Sequence, residues 1–415
     1  MNGTDRIRRA VAALGDGPLD AAGLREHIFP LFSRTLEAQQ GRIVLSNHSL
    51  GRPLDALEED VREGLAAWYA QQGGAWDHWM DEQQAFRSRL GELCGVDAQS
   101  IVFKTSAGAG LRAVLGTWDA PVNVVATRGE FDSLDVILRE YAVRGRIKLS
   151  LVEPDGEGFF DAGRIADAIV PGTDLVVVSQ VMFQTGQRLD VSLIVEAARR
   201  HRAHVLLDVY HSLGVFAVDL AALGVDFAVG GSYKYLRGGP GAAFLYVSTE
   251  QLRVRRPLDI GWFAKDAPQD YARPDSPRFA AGGDGWQEST PPVLAWYQAR
   301  SGQVFTLAMG VPRLRAWSLA LQRRLVEALA SLDIEARGGT DDRGAFVVVV
   351  HPAARAVAAK LEERGVLADA RGAWLRLCPD ILTSVEAIDE AAGALAAALH
   401  RVQARRGTPA VSPAT

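Results

Sequence analysis

Short apolar runs alternate with helical periods through the middle of the chain. Ile101-Val102-Phe103, Val122 to Thr127, Ile147 to Val152, Leu175 to Ser179, His204 to Asp208 and Asp226 to Gly230 read as strands, with helices such as Phe131 to Tyr141 and Val191 to Arg202 between them. Uninterrupted apolar runs separated by amphipathic helices predict a mostly parallel sheet covered on both faces, an α/β architecture. Gly241 to Ser248 adds a strand, expected to close the sheet's edge. Upstream, residues 1 to 40 read as surface helical pieces, notably Ala21 to Ile28 and Arg34 to Gln39. Ile43-Val44-Leu45 forms a short strand that leads into a small polar loop. Pro53 opens a helix to about Ala70 whose buried face is Leu54, Leu57, Val61, Leu65 and Trp68. Gln71 to Asp81 reads as a loop, with Trp76 and Trp79 either packing anchors or a substrate wall, and a helix follows from Glu82 to Leu93.

Downstream, Pro257 to Pro292 is a long irregular stretch rich in Gly, Pro and Asp, the kind of segment that serves a site or an interface. Val293 to Leu332 is helical with a break near Gly310. A smaller α+β unit follows, with strands Ala345 to His351 and Ala373 to Leu377, helices Ala354 to Arg364 and Ser384 to Leu399, and a tail from Arg405 expected to be disordered. The expected division is an N-terminal arm and loop (1–52), a large α/β domain (53–305), a small C-terminal α+β domain (306–404) and the tail (405–415).

Composition narrows the partner. A 415-residue chain with 48% hydrophobic and 23% charged residues is globular, and a net charge of -5 with both signs interspersed offers no basic patch for nucleic acid or an anionic membrane. A small molecule is the partner this leaves. The two cysteines, Cys94 and Cys378, lie far apart without a metal-ligand pattern, so neither a disulfide framework nor a metal site is expected and a reducing compartment is the simpler inference. No run reaches the length of a membrane span, and a soluble, cytoplasmic protein is expected.

Two stretches carry the chemistry. Leu206-Leu207-Asp208 is an apolar run ending in a carboxylate, and Ser232-Tyr233-Lys234-Tyr235 sets a lysine between aromatics before the Gly-rich Gly238-Gly239-Pro240-Gly241. An aspartate at the carboxyl end of a central strand and an imine-forming lysine together describe a pyridoxal 5'-phosphate (PLP) site. Lys234 would hold the cofactor and Asp208 would keep its ring nitrogen protonated; the bland alternative is a strand aspartate and a surface lysine. Thr105 to Gly110, small residues at a helix N-terminus, suits a phosphate or merely close packing.

The segments Val178 to Gln187, Asp208 to His211, Gly224 to Phe227 and Ser232 to Leu236 resemble, in order and separation, the core of the kynureninase family, class V and fold type I among PLP enzymes. Asn47-His48-Ser49-Leu50-Gly51, Gly261-Trp262-Phe263 and Ser289-Thr290-Pro291-Pro292 extend the resemblance over nearly the whole chain. It implies a large domain with a mostly parallel seven-stranded sheet, a smaller α+β C-terminal domain, and a homodimer with active sites at the interface. By the same resemblance, Lys234 carries PLP, Asp208 pairs with the ring nitrogen, and His211 lies nearby. Ser179 and Tyr233 contact the cofactor, Phe131 stacks on its face, and Ala107 and Gly108 meet its phosphate. Trp262 and Thr290 reach that phosphate from the second subunit, and Arg376 grips the α-carboxylate of an amino acid substrate.

This chain departs from the family pattern both at the phosphate and where the substrate binds. Gly108 lacks the hydroxyl usual there, Leu134 replaces an Asp, Thr290 replaces an Asn, and His48 is an addition beside the substrate. The expected activity is cleavage at the β-carbon of a kynurenine-like amino acid, with Lys234, Asp208 and Tyr233 as the catalytic groups. The alternatives are a tailoring enzyme acting as a C-S β-lyase or a decarboxylating deaminase, an aminotransferase, or a non-catalytic module on the same fold.

Overall fold

The computed structural model describes residues 2–406. A short β1 (Ile43–Val44) precedes the main sheet, built from β2 (Ile101–Lys104), β3 (Val122–Thr127), β4 (Ile147–Val152), β5 (Leu175–Ser179), β6 (His204–Asp208), β7 (Phe227–Gly231) and β8 (Ala243–Val247). Their spatial order is β2-β8-β7-β6-β5-β3-β4. Strands β3 to β7 run parallel, and β8 is antiparallel to both its neighbours. Every residue of β5, β7 and β8 is buried, as is all of β6 but His204, which is why these strands read as unbroken apolar runs. The expected edge position of β8 is corrected: it lies inside the sheet and β2 takes the edge. Strand order is a tertiary property that the local pattern of β8 does not encode.

The principal helices are α1 (Gly3–Ala13), α2 (Ala56–Gln71), α3 (Ala75–Cys94), α4 (Ala107–Leu115), α5 (Asp132–Val143), α6 (Val191–His201), α7 (Leu294–Met309), α8 (Val311–Ala330), α9 (Ala354–Glu362) and α10 (Val385–Arg406). Side chains of Asn2, Ser106 and Asp190 accept backbone N–H groups at the starts of α1, α4 and α6, satisfying donors that a helix leaves free. Beyond the sheet, β9 (Val347–Val350), β11 (Asp369–Arg371) and β12 (Trp374–Leu377) form a second, antiparallel sheet in the order β11-β12-β9, while β10 (Val366–Leu367) pairs with β1. Helices α8, α9 and α10 cover this smaller sheet around Leu325, Val357, Leu361 and Leu395.

Several sequence expectations need correction. Residues 75–81 are not loop but the start of α3, because Trp76, Trp79, Met80, Gln83 and Phe86 repeat at helical spacing and Trp79 donates to the Gly64 carbonyl (3.1 Å). On α2 the buried positions are Ala56, Asp60 and Gly64, whereas Leu57, Val61 and Leu65 are half-buried and Trp68 is 57% exposed. The small residues win because α7 packs close: a Cβ on Gly64 would stand 2.9 Å from Tyr297. The N-terminal pieces are more than surface helices, since Leu24, Ile28 and Phe32 share a core with Phe305 and Met309. Residues 405 and 406 continue α10, and the rest of the expected tail lies outside the described residues. Among the described residues no helix is long and apolar enough to cross a membrane.

Candidate active site

Parallel strands deliver their last residues to one edge of the sheet, and ligands of open α/β sheets sit at that edge where the strand order reverses. Here the reversal falls between β3 and β5, and β5 and β6 end side by side with Ser179 opposite Asp208. The chain after β7 turns back as Ser232-Tyr233-Lys234. That turn is clamped from two sides by close backbone approach. A Cβ on Gly51 would fall 1.9 Å from the Lys234 carbonyl, and one on Gly302 would fall 1.8 Å from the Leu236 carbonyl. Gly51 N–H also donates to the Tyr233 carbonyl (2.8 Å), so the loop after β1 and helix α7 both fix the lysine.

A cavity of about 140 Å3 opens at this edge and brings together Ala107, Phe131, Ser179, Asp208, His211, Tyr233 and Lys234 from the predicted set. Lys234 Nζ stands 2.6 Å from His211 Nε2 and 5.4 Å from the centre of the Phe131 ring. Burial pulls the lysine down to about 7, against the attraction of Asp208 and helped by the Arg376 charge. Burial also pushes Asp208 up to about 6, although the Tyr210 N–H (2.8 Å to Oδ1) and Lys234 favour its ionised form. Burial, then the Lys234 charge, hold His211 well below the usual histidine range. A neutral His211 is therefore an acceptor for the lysine. Burial and the Asp208 charge raise Tyr233, which keeps its phenol protonated.

PLP fits this donor set. At one end the N-terminus of α4 lies beside the Thr105, Ser106 and Ser133 side chains, and Ser106 spends its oxygen as an acceptor on Ala109 N–H (3.1 Å), leaving its hydroxyl proton for a phosphate. At the other end Asp208 offers a carboxylate, with the amine and an aromatic face between them. Gly108 is buried and does not line the cavity; its missing side chain admits Ile137, whose Cδ1 would stand 2.8 Å from a Cβ.

The remaining predicted residues lie elsewhere. Arg376 is 3% exposed and sits behind Phe183, which lines the cavity. Its Nε and Nη2 donate to Asp369 Oδ1 (2.8 Å) and Oδ2 (2.5 Å), and Nη1 donates to the Phe183 carbonyl (2.5 Å). A guanidinium has five N–H donors, so one remains on each terminal nitrogen, the pair that takes a carboxylate end-on. His48 is wholly buried, with Nε2 2.9 Å from Asp369 Oδ1 and its ring against Phe346. Burial carries it down to about 4 despite the pull of Asp369, so it is neutral and donates to that carboxylate. Burial alone would raise Asp369, but hydrogen bonds from His48 and Arg376 hold it well below the usual carboxylate range. Trp262 and Thr290 do not line the cavity; Trp262 Nε1 donates to Thr290 Oγ1 (3.3 Å) on the protein's surface.

Sequence reasoning missed Asp369, Glu130 and Tyr235. Asp369 stands opposite Arg376 in the β11-β12 register, a signal available only once β11 is recognised. Glu130 directly precedes Phe131, which lines the cavity, and Tyr235 Oη lies 3.3 Å from His211 Nδ1.

Residues 53–374 match the family described as aminotransferase class-V. The chain is 36% identical over 215 residues to a kynureninase of Deinococcus radiodurans, half of each chain, and 28% identical over 352 residues to one of Xanthomonas oryzae, 79% of this chain and 80% of that one. Among solved structures it superimposes with TM-score 0.79 on a C-DES variant with glycine covalently linked to the PLP cofactor, at 21% identity over 88% of this chain and 98% of the other. A cysteine desulfurase from Thermococcus onnurineus gives TM-score 0.76 at 19% identity, over 91% and 98% of the two chains.

Proposed function

The chain belongs to the aminotransferase class-V family and uses pyridoxal 5'-phosphate, and from this we propose that it acts on an α-amino acid, hydrolysing a kynurenine-like side chain at the β-carbon. The observation that carries the reading is the Lys234 amine, buried yet pulled down to about 7, facing Asp208 in one cavity with an end-on arginine fork behind its wall. Held here, PLP would supply an electron sink for the bonds of a substrate's α-carbon.

The protein's groups divide the remaining work. Asp208 would hold the ring nitrogen's proton, and the α4 N-terminus with Thr105, Ser106 and Ser133 would hold the phosphate. Arg376 orients the α-carboxylate through its two free N–H donors. Lys234, once released by substrate, takes the α-proton, a role that suits an amine near neutral. Tyr233 relays the attacking water's proton to the β-carbon as the bond between that carbon and the side-chain carbonyl breaks, and Lys234 returns the α-proton. Water supplies the hydroxyl of the departing acid, and the amino acid fragment leaves as alanine.

The fold neighbour C-DES, a cystine C-S lyase, supports a second reading, elimination of a C-S bond at the same β-carbon. Sulfur transfer to a protein thiol is not part of it, since burial pushes both Cys94 and Cys378 well above the usual thiol range. Incubating the purified holoenzyme with kynurenine, 3-hydroxykynurenine and a panel of cysteine conjugates, with products read by mass spectrometry, separates the readings. Alanine with an aromatic acid supports the first; pyruvate and a thiol support the second, and neither outcome sinks both.

A further inference from the structure

Glu130 is a buried carboxyl that none of these steps employs. It is 3% exposed, and it bridges the crevice where the strand order reverses. Thr127, the last residue of β3, donates to its Oε1 (2.5 Å), and Ser179, the last residue of β5, donates to its Oε2 (2.6 Å). Thr127 Oγ1 itself accepts the Gly129 N–H (3.2 Å), so its hydroxyl proton has one direction left, toward Glu130. Asp208 lies next to Ser179 in the sheet register, and both line the cavity, as does Phe131, the residue after Glu130. A carboxylate that crosslinks the ends of two strands, one residue from the stacking ring and one hydroxyl away from the cavity, is set to control that hydroxyl.

We propose that Glu130 is a positioning residue for the cofactor: when ionised it claims the Ser179 hydroxyl proton, so that Ser179 turns only acceptor lone pairs toward the cavity, and it adds a second negative charge behind Asp208. When Glu130 is protonated it donates to one of the two hydroxyls and can free the Ser179 proton for donation. Burial and then the Asp208 charge raise Glu130, against its hydrogen bonds from Ser179 and Thr127, to about 7, which puts the change within the working range of pH. Asp208 is the charged group that faces it; the Thr127 and Ser179 hydroxyls are neutral.

The test is the visible absorbance of the PLP-loaded protein as a function of pH. Removing a negative charge from behind the cofactor disfavours its protonated form, so Glu130→Gln moves the midpoint down by about half to one pH unit. Ser179→Ala moves it the same way, and the double variant moves it by less than the sum, because one group acts through the other. Thr127→Val, which strips a donor from the carboxylate, gives a smaller shift of the same sign and serves if Glu130→Gln does not fold. A melting temperature that falls while the midpoint stays put, a shift upward, or full additivity overturns the proposal. Borohydride reduction of the same samples keeps it distinct from the lysine assignment: an adduct on Lys234 with an unmoved midpoint counts against Glu130 alone, and an adduct elsewhere counts against Lys234.

Discussion

Truncating Arg376 tests the substrate half of the site. In Arg376→Ala the end-on fork disappears and Asp369 remains, still held by His48 and 3.5 Å from Arg371. An incoming carboxylate then meets a carboxylate instead of a guanidinium, so the loss includes repulsion as well as missing hydrogen bonds. The arginine is 3% exposed, which puts it with buried charge pairs rather than with rim charges. Breaking such a pair costs about 2 to 5 kcal/mol, or roughly a 30-fold or greater loss of affinity at about 1.4 kcal/mol per decade. Arg376→Lys should recover only part of this, since an ammonium cannot supply two parallel donors.

The readout is a titration of the holoenzyme with L-alanine, followed by the cofactor's visible absorbance. The ligand-free spectrum should stay close to that of the parent, because Lys234, Asp208 and Tyr233 are untouched. An affinity for alanine within about threefold of the parent would refute the reasoning, for it would amount to less than about 1 kcal/mol at a site where several are expected. The α-carboxylate would then have to be held elsewhere.

Four further outcomes follow from the same geometry. Borohydride reduction should fix the cofactor on Lys234, and peptide mapping that finds it on another lysine would refute the anchor. Apo-protein should take up PLP faster as pH rises through about 7, because only the unprotonated Lys234 attacks a carbonyl; a rate still climbing toward the range of an ordinary lysine would contradict its burial. Stability should fall as pH drops from about 6.5 toward 4, since the unfolded chain protonates His48 before the folded protein does. That contribution is on the order of 3 kcal/mol, and urea melts in which His48→Gln keeps the same acid slope would exclude it. Light scattering should find a homodimer that Trp68→Glu weakens, because Trp68, Tyr69 and Leu258 expose 57%, 88% and 73% of their surface; an active, cofactor-loaded monomer would remove the interface.

What was legible in the sequence follows from where the physics is local. Strands β3, β5 and β6 agree with expectation because strands buried on both faces are almost wholly apolar, and edge strand β4 agrees because Ile147, Leu149 and Leu151 alternate with exposed Lys148 and Ser150. The proposed cofactor residues stood out for a related reason: Ser179 and Asp208 end such strands, and Lys234 follows the next one. Residues 75–81 misled because Gly73 and Gly74 mark a turn while Trp76, His78 and Trp79 look like loop chemistry, although their spacing is helical. On α2 the large apolar residues were assigned to the core, but a close helix neighbour selected Ala56, Asp60 and Gly64. Asp369 escaped because β10 and β11 have only two and three residues, too short to show a period.

The proposed substrate half was the less legible because no single element builds it. Arg376 comes from β12, Asp369 from β11, His48 from the loop after β1, and the Phe183 carbonyl from the loop after β5. These segments are brought into register by contacts that themselves cross between units. Asp380, four residues beyond Arg376, is half-buried and pairs with Arg52 of the N-terminal loop and, at 2.9 Å, with Arg237, three residues beyond Lys234. Arg237 adopts a left-handed backbone (φ 57°) to reach it, a conformation that costs a non-glycine residue about a kilocalorie or more and persists only where surrounding contacts compensate. The carboxylate fork and the amine are therefore mechanically linked through one aspartate.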